Sequence, residues 1–128
     1  MKEKKQMRIL IIEDNAIQAL YLETVVNKMG FNQIEKAHSY KQAVRLIDEF
    51  KPELLFVDIN LDEESTGIDV VNTLNGNHDV QVIYVTGNSD RYYTKQIENT
   101  NYLGYLVKPF NLNELRDLLT SVNILNQQ

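Results

Sequence analysis

Five polar side chains stand directly after short apolar runs of this sequence, and their types could support metal binding or group transfer. They are Glu13, Asp14, Asp58, Thr86 and Lys108. Short, continuous apolar runs are typical of strands that are buried on both faces of a parallel sheet. Because open α/β sheets place their ligands at the carboxyl ends of the strands, we expect these side chains to converge at one edge.

Three of the five residues are carboxylic acids, and they follow two strands that we expect to be neighbours in the sheet. Two carboxylates in close contact repel each other by about 4 kcal/mol even at a partly screened dielectric. Glu13, Asp14 and Asp58 together therefore need a cation. Their oxygen atoms suit Mg²⁺ or another hard divalent ion. For Asp14 alone, a helix cap or a solvated strand end is an equally good interpretation.

Asp58 is the candidate nucleophile, because a carboxylate can take up a phosphoryl group as an acyl phosphate. Phosphoryl transfer depends mainly on positioning and on neutralising the charge of the oxygens. Mg²⁺ would supply two positive charges and Lys108 one more. Thr86 offers a hydroxyl donor to a phosphoryl oxygen, and Gly87 leaves its backbone N–H open to close approach. The combination at four strand ends makes the pattern specific, whereas no single residue does.

Strands and helices alternate five times along the chain, which indicates a parallel sheet with helices on both faces. The strands are predicted at residues 7–12, 34–37, 54–58, 80–85 and 102–107. The helices are predicted from Asn15 to about Met29, from Ser39 to before Pro52, from about Gly67 to Asn75, from Ser89 or Asp90 to about Asn99, and from Asn111 to about Val122. The fourth helix has the poorest apolar face, so we expect it to be the least stable. Ser39 and Gln42 have the spacing of a capping box.

The size and composition of the chain exclude several classes of protein. A length of 128 residues predicts one domain. The absence of cysteine excludes disulfides and cysteine-containing metal sites, and it fits a reducing, cytoplasmic setting. A net charge of −5 argues against nucleic acid as a direct ligand. No apolar run approaches the roughly 20 residues of a membrane span, so we expect no membrane partner.

The sequence resembles a response-regulator receiver domain of two-component signalling over essentially its whole length. The resemblance is carried by Glu13-Asp14, Asp58, Thr86-Gly87 and Lys108-Pro109-Phe110. It implies a doubly wound, flavodoxin-like sheet of five parallel strands in the order 2-1-3-4-5, with five helices. It also implies a cis peptide bond between Lys108 and Pro109. We expect residues 1–128 to form a single receiver domain, with a core from about 7 to 125 and no output domain.

The resemblance also implies a phosphodonor and a metal site. A histidine kinase or a histidine phosphotransfer protein would donate a phosphoryl group to Asp58. Mg²⁺ would be bound by Asp14, Asp58 and the backbone carbonyl of Asn60, with Glu13 acting through water. Lys108 would pair with Asp58 and with the phosphoryl group.

By the same resemblance, phosphorylation draws the Thr86 hydroxyl toward the phosphate and turns Tyr105 inward. The face made by the fourth helix, the fifth strand and the fifth helix then changes its affinity for a downstream protein. The alternative for Tyr105 is a half-buried strand aromatic with no switch role. A dimer linked to phosphorylation is left open by the sequence.

Two features depart from the shortest form of the family. The loop after the third strand is longer and more acidic, and it is expected to place Asp62, Glu63 and Glu64 near the metal. The positions that modulate the loss of the phosphoryl group in the family are occupied here by Asn60 and Asn88. The lifetime of the phosphorylated form does not follow from these residues.

Other functions fit the same residues less well. An interaction module that is independent of phosphorylation is the main alternative, although such a module would be expected to lose one of the five polar residues. A haloacid-dehalogenase phosphatase needs a second acid where this chain has Asn60. A flavin-binding protein would meet the acidic Glu13-Asp14-Asn15 loop. We therefore expect a phosphoacceptor regulator that catalyses only its own phosphotransfer and dephosphorylation. His38 and His78 are predicted to be surface residues.

Overall fold

The chain forms one parallel sheet flanked by helices. The structure is a computed structural model, which describes residues 6–62, 65–75, 79–87 and 94–126. The strands are β1 (Arg8–Ile12), β2 (Gln33–Ala37), β3 (Leu54–Asp58), β4 (Gln81–Thr86) and β5 (Gly104–Val107). The helices are α1 (Ala16–Lys28), α2 (Tyr40–Phe50), α3 (Gly67–Asn72), α4 (Thr94–Glu98) and α5 (Leu112–Ser121). All four strand pairs are parallel, in the order β2-β1-β3-β4-β5. The predicted fold class and strand order are confirmed.

The central strand β3 is buried at all five of its positions. Its side chains alternate between two apolar clusters, one beneath α1 and α5 and the other beneath α2, α3 and α4. Phe56 lies in the first cluster and Val57 in the second, and both are completely buried. The register pairs Ile12 with Val57 and Asp58 with Val85, so the ends of β1, β3 and β4 are level. The carboxyl ends of the strands therefore form one polar edge.

The predicted ends of the elements differ from the observed ones by a few residues. The fifth strand begins at Gly104 and not at Tyr102, whose ring packs edge-on against Tyr84 at a centroid distance of 5.7 Å. Helix α3 ends at Asn72, before Asn75 adopts a positive φ of 51°. The predicted caps of the fourth helix, Ser89 and Asp90, lie outside the described residues.

The predicted capping box of α2 forms in one direction only. The Ser39 hydroxyl accepts a hydrogen bond from the Gln42 backbone N–H at 3.1 Å, as a cap should. The Gln42 side-chain oxygen, however, accepts from the His38 N–H at 2.8 Å, one residue before the cap. The reciprocal bond to the Ser39 N–H is therefore missing from this box, whereas Asn111 and Glu114 close both bonds at α5.

Tyr84 connects β4 to the end of α4 through a buried hydroxyl. Its oxygen lies 2.9 Å from Thr100 Oγ1, which donates in turn to the Ile97 carbonyl at 2.6 Å. The Tyr84 hydroxyl must therefore be the donor to Thr100. Burial raises the pKa of Tyr84 to about 12, compared with about 10 for an exposed tyrosine.

This raised pKa predicts a loss of stability at high pH. Because the pKa of Tyr84 is higher in the folded chain than in the unfolded chain, its stabilisation is complete below pH 10 and is lost as the pH rises toward 12. Between pH 9 and about pH 11.5, we expect the wild type to lose about 2 kcal/mol of unfolding free energy relative to Tyr84→Phe, which has no hydroxyl to ionise. Urea denaturation at both pH values measures this difference. Tyr105→Phe is the matched control, since Tyr105 is 57% exposed, and an equal shift in both variants would contradict the prediction.

Candidate functional site

The three acids meet at the carboxyl edge of the sheet. Asp58 ends β3, and Glu13 and Asp14 follow β1, so the pairing of these two strands brings the acids together. One carboxylate oxygen from each residue lies within 4.8 Å of the other two. Glu13 and Asp58 are each only 5% exposed, whereas Asp14 faces solvent. Solvent therefore reaches the cluster at Asp14, whereas Glu13 and Asp58 are shielded by the protein.

Lys108 supplies the positive charge of this cluster. Its Nζ lies 2.8 Å from Glu13 Oε1, 2.6 Å from Gln18 Oε1 and 3.4 Å from Asp58 Oδ2. Its backbone N–H donates to the Thr86 carbonyl at 2.7 Å, which fixes the loop after β5 to the end of β4. The peptide bond to Pro109 is cis, as the family resemblance implies.

One ammonium group does not balance three carboxylates. Burial and the neighbouring Glu13 raise the pKa of Asp58 to about 8, although Lys108 opposes this shift. Burial also raises the pKa of Asp14, and Glu13 adds to the effect. For Glu13, burial pushes the pKa upward, but hydrogen bonds with Asp58 and Lys108 outweigh it and lower that pKa overall. Ionised Asp58 is therefore unfavourable until a further cation is present.

Gly67 allows α3 to begin directly against the backbone of Asp58. Its N–H donates to the Ile59 carbonyl at 2.8 Å. A Cβ atom on Gly67 would overlap the Asp58 carbonyl oxygen and would lie 2.5 Å from Val57 Cγ1. The sequence predicts Gly67 at the start of a helix, but its close contact with the end of β3 depends on tertiary packing and was not predicted.

The remaining predicted residues lie around the same edge. Thr86 ends β4 and is half-buried. Tyr105 pairs with Tyr84 in the β4–β5 register, and its ring is turned to solvent. The Asn60 N–H donates to Asp58 Oδ1 at 3.3 Å, while its carbonyl as a metal ligand stays a prediction.

The acidic loop after β3 is only partly described. The carboxylate of Asp62 accepts from the Ser65 N–H at 2.8 Å and from the Tyr40 N–H at 3.2 Å, which ties this loop to the start of α2. Among the described residues, Asp62 is not a member of the three-acid cluster. Glu63 and Glu64, and likewise Asn88, lie outside the residues that the structure describes.

Two residues at this edge were not predicted to belong to the site. His38 was predicted to be a surface residue, but it follows β2 directly, is half-buried and places Nδ1 2.9 Å from the Glu13 carbonyl oxygen. Because a carbonyl only accepts, Nδ1 must carry the proton. Gln18 was not singled out, although its spacing from Asn15 puts it one turn into α1, beside the acids. His78 lies outside the described residues.

A mainly apolar cleft of about 610 Å³ opens beside the acids, between α1 and the loop after β5. Tyr21 packs against Phe110 across it, with ring centroids 5.4 Å apart, and its hydroxyl donates to the Phe110 carbonyl at 2.8 Å. Ile17, at the rim, is 80% exposed.

Within the described part of the chain, no helix is both long and apolar enough to cross a membrane.

Comparisons with known proteins agree with this geometry. A family model described as "Response regulator receiver domain" matches residues 9–120. The phyllosphere-induced regulator PhyR of Methylorubrum extorquens is 38% identical over 103 residues, which are 80% of this chain and 38% of PhyR. The transcriptional regulatory protein PdtaR of Mycobacterium tuberculosis is 27% identical over 108 residues, 84% of this chain and 52% of PdtaR. This chain thus spans about half or less of either relative.

A solved structure is also similar. The solution NMR structure of the Erythrobacter litoralis PhyR response regulator REC domain has a TM-score of 0.77 and 29% sequence identity to this chain. The match covers 96% of this chain and 95% of that one. The similarity therefore extends over nearly the whole of that domain.

Proposed function

The chain belongs to the response regulator receiver domain family, and on that premise we propose that it is a phosphoacceptor switch in which Asp58 receives a phosphoryl group. The observation that carries this proposal is the position of Asp58. Its carboxyl group ends the most deeply buried strand, beside two further acids and 3.4 Å from Lys108 Nζ. A buried nucleophile beside a cation and a metal-ligand set is what phosphoryl transfer to a carboxylate needs.

We infer that the site is completed by Mg²⁺. The donor set fits, because three carboxylate oxygens lie within 4.8 Å of one another with one ammonium group to balance them, and hard oxygen donors suit this ion. Asp14, Asp58 and the Asn60 carbonyl would hold the ion, with Glu13 acting through water. When bound, Mg²⁺ supplies positive charge that offsets the carboxylates and the phosphoryl oxygens.

The protein residues then have separate parts in the transfer. A carboxylate oxygen of Asp58 attacks phosphorus as the bond between phosphorus and the donor histidine nitrogen breaks, and the electron pair stays on that nitrogen. Lys108 pairs with a phosphoryl oxygen, and the Thr86 hydroxyl donates to another. Attack by water on the same phosphorus later breaks the bond between phosphorus and the Asp58 oxygen, releases inorganic phosphate and returns Asp58 to the free carboxylate. The chain thus catalyses only its own phosphorylation and dephosphorylation.

We propose a histidine kinase or a histidine phosphotransfer protein as the donor, in the cytoplasm. The apolar side chains Ile17, Leu20 and Tyr21 are exposed on α1, the helix that begins beside the site, and offer a contact surface for a donor protein. Tyr105 and Val107 are exposed on β5 and offer a second surface to a downstream protein. Within this proposal, residues 1–128 act as one receiver unit, and nucleic acid and membrane are not partners.

Incubation with Mg²⁺ and acetyl phosphate, followed by intact mass measurement, tests the proposal directly. We expect the wild type to gain the mass of one phosphoryl group and to lose this gain when a chelator is added first. Asp58→Asn should gain nothing. Asp48→Asn, which changes an exposed acid on α2, should behave as the wild type does. No gain in the wild type under conditions that label another receiver domain, or equal gain in Asp58→Asn, would overturn the assignment of Asp58.

A further inference from the structure

Gln18 makes an unexpected contact at the start of α1. Asn15 caps this helix and accepts from the Gln18 backbone N–H at 3.0 Å, which is half of a capping box. The second half would join the Gln18 side chain to the Asn15 N–H, but that N–H donates to Glu13 Oε2 at 3.1 Å. The amide oxygen of Gln18 instead accepts from Lys108 Nζ at 2.6 Å.

Helix α5 shows what the same pair of positions does without such competition. There the cap Asn111 accepts from the Glu114 N–H at 2.8 Å, and Glu114 Oε1 accepts in return from the Asn111 N–H at 3.2 Å. The difference at α1 comes from Glu13, whose side chain occupies the donor that would hold Gln18 on its own helix. The acidic site therefore directs Gln18 toward Lys108.

Lys108 has three N–H donors and three neighbouring acceptors. The Gln18 and Glu13 oxygens lie at 2.6 and 2.8 Å, whereas Asp58 Oδ2 lies at 3.4 Å. A phosphoryl group on Asp58 brings new charged acceptors close to Nζ, which then has to give up one of its partners. Hydrogen bonds to charged acceptors are stronger than those to a neutral amide, so Gln18 is the partner that is released.

We propose that Gln18 is a positioning residue, which holds Lys108 Nζ 2.6 Å from its own oxygen and 3.4 Å from Asp58 Oδ2 before phosphorylation, and which is replaced by a phosphoryl oxygen afterwards. This inference rests on the proposed function of Asp58. Because Gln18 stabilises only the unphosphorylated arrangement, it slows the gain of the phosphoryl group. It is neutral and exposed, so its effect is a modest adjustment of the rate.

Two substitutions with opposite expected effects test the proposal. Gln18→Met keeps the length of the side chain and removes the acceptor, and we expect labelling by acetyl phosphate with Mg²⁺ to be about threefold faster than in the wild type. Gln18→Glu keeps an acceptor and adds a charge that holds Lys108 more firmly, and we expect labelling to be about tenfold slower. A small phosphodonor is used because it needs no protein contact with α1, so altered docking does not affect the rates.

The control and the urea unfolding midpoint separate positioning from a structural role. Gln33→Met makes the same chemical change at the opposite end of the sheet, where the Gln33 amide donates to the Gln6 carbonyl. Gln33→Met should be labelled at the wild-type rate. None of the three variants should lower the urea unfolding midpoint so far that a loss of folded protein could account for a changed labelling rate. Opposite changes in Gln18→Met and Gln18→Glu support the proposal. Wild-type rates in both, or changes in the same direction, overturn it while leaving Asp58 as the acceptor, whereas an unlabelled wild type overturns both proposals.

Discussion

Replacement of Gly67 by alanine is expected to lower the free energy of unfolding by about 3 kcal/mol. The new Cβ atom would overlap the Asp58 carbonyl oxygen and press on Val57, and both neighbours belong to the fully buried strand β3. Overpacking of a core costs about 1–3 kcal/mol, and a clash with backbone falls at the upper end because no side chain can rotate away. Urea denaturation of the two proteins measures the difference.

Gly104→Ala is the matched control for this prediction. A Cβ atom there would meet only Leu118 Cδ1, at 3.1 Å, which is the far end of a flexible side chain. We expect a loss of less than about 1 kcal/mol at this position. Equal unfolding midpoints for Gly67→Ala and the wild type would show that α3 can move away from β3 with no loss of unfolding free energy. Close packing of Gly67 would then not be needed to position Asp58.

The fold and the location of the site could be predicted from the sequence because both depend on coarse patterns. The apolar run that forms β3 is long enough to indicate a strand buried on both faces, and the acid at its end marks the edge of the sheet. A parallel arrangement then places Glu13, Asp58 and Lys108 together. The acidic cluster follows from topology, without knowledge of any side-chain conformation.

The individual hydrogen bonds could not be predicted in the same way. Four of the described helix starts have the spacing of a capping box, beginning at Asn15, Ser39, Thr66 and Asn111, but only the last two close both bonds. At the first two, one of the two bonds is replaced by a hydrogen bond to a residue outside the box. Glu13 accepts from the Asn15 N–H, and the Gln42 side chain bonds the N–H of residue 38. Such choices depend on which acceptor lies closest after folding, and the local sequence does not contain that information.

Replacement of Asp58 by asparagine is expected to raise the free energy of unfolding by about 2 kcal/mol when Mg²⁺ is absent. Asparagine has nearly the same shape, so it keeps the packing at the end of β3. It also removes a carboxyl group whose ionisation is opposed by burial and by Glu13, which raise its pKa to about 8. The size is about half the repulsion of one carboxylate pair at 4 Å and an effective dielectric of 20, because Lys108 and the raised pKa of Asp58 both relieve part of that repulsion. Thermal or urea unfolding in the presence of a chelator measures the gain. Asp48→Asn on α2 controls for the loss of a charge as such.

Mg²⁺ should reverse the order of stability of wild type and Asp58→Asn. An ion that binds only the folded chain adds about 2.7 kcal/mol at 100 times its dissociation constant. We expect the full gain in the wild type and in Asp48→Asn, which exceeds the advantage of about 2 kcal/mol that Asp58→Asn has without the ion, and little gain in Asp58→Asn, which lacks one of the proposed ligands. If the cluster is the proposed metal site, one substitution, Asp58→Asn, should both relieve the repulsion among the acids and abolish the response to Mg²⁺. If Asp58→Asn is less stable than the wild type without Mg²⁺, the carboxylate is held by its protein partners alone and the cluster does not need a metal ion.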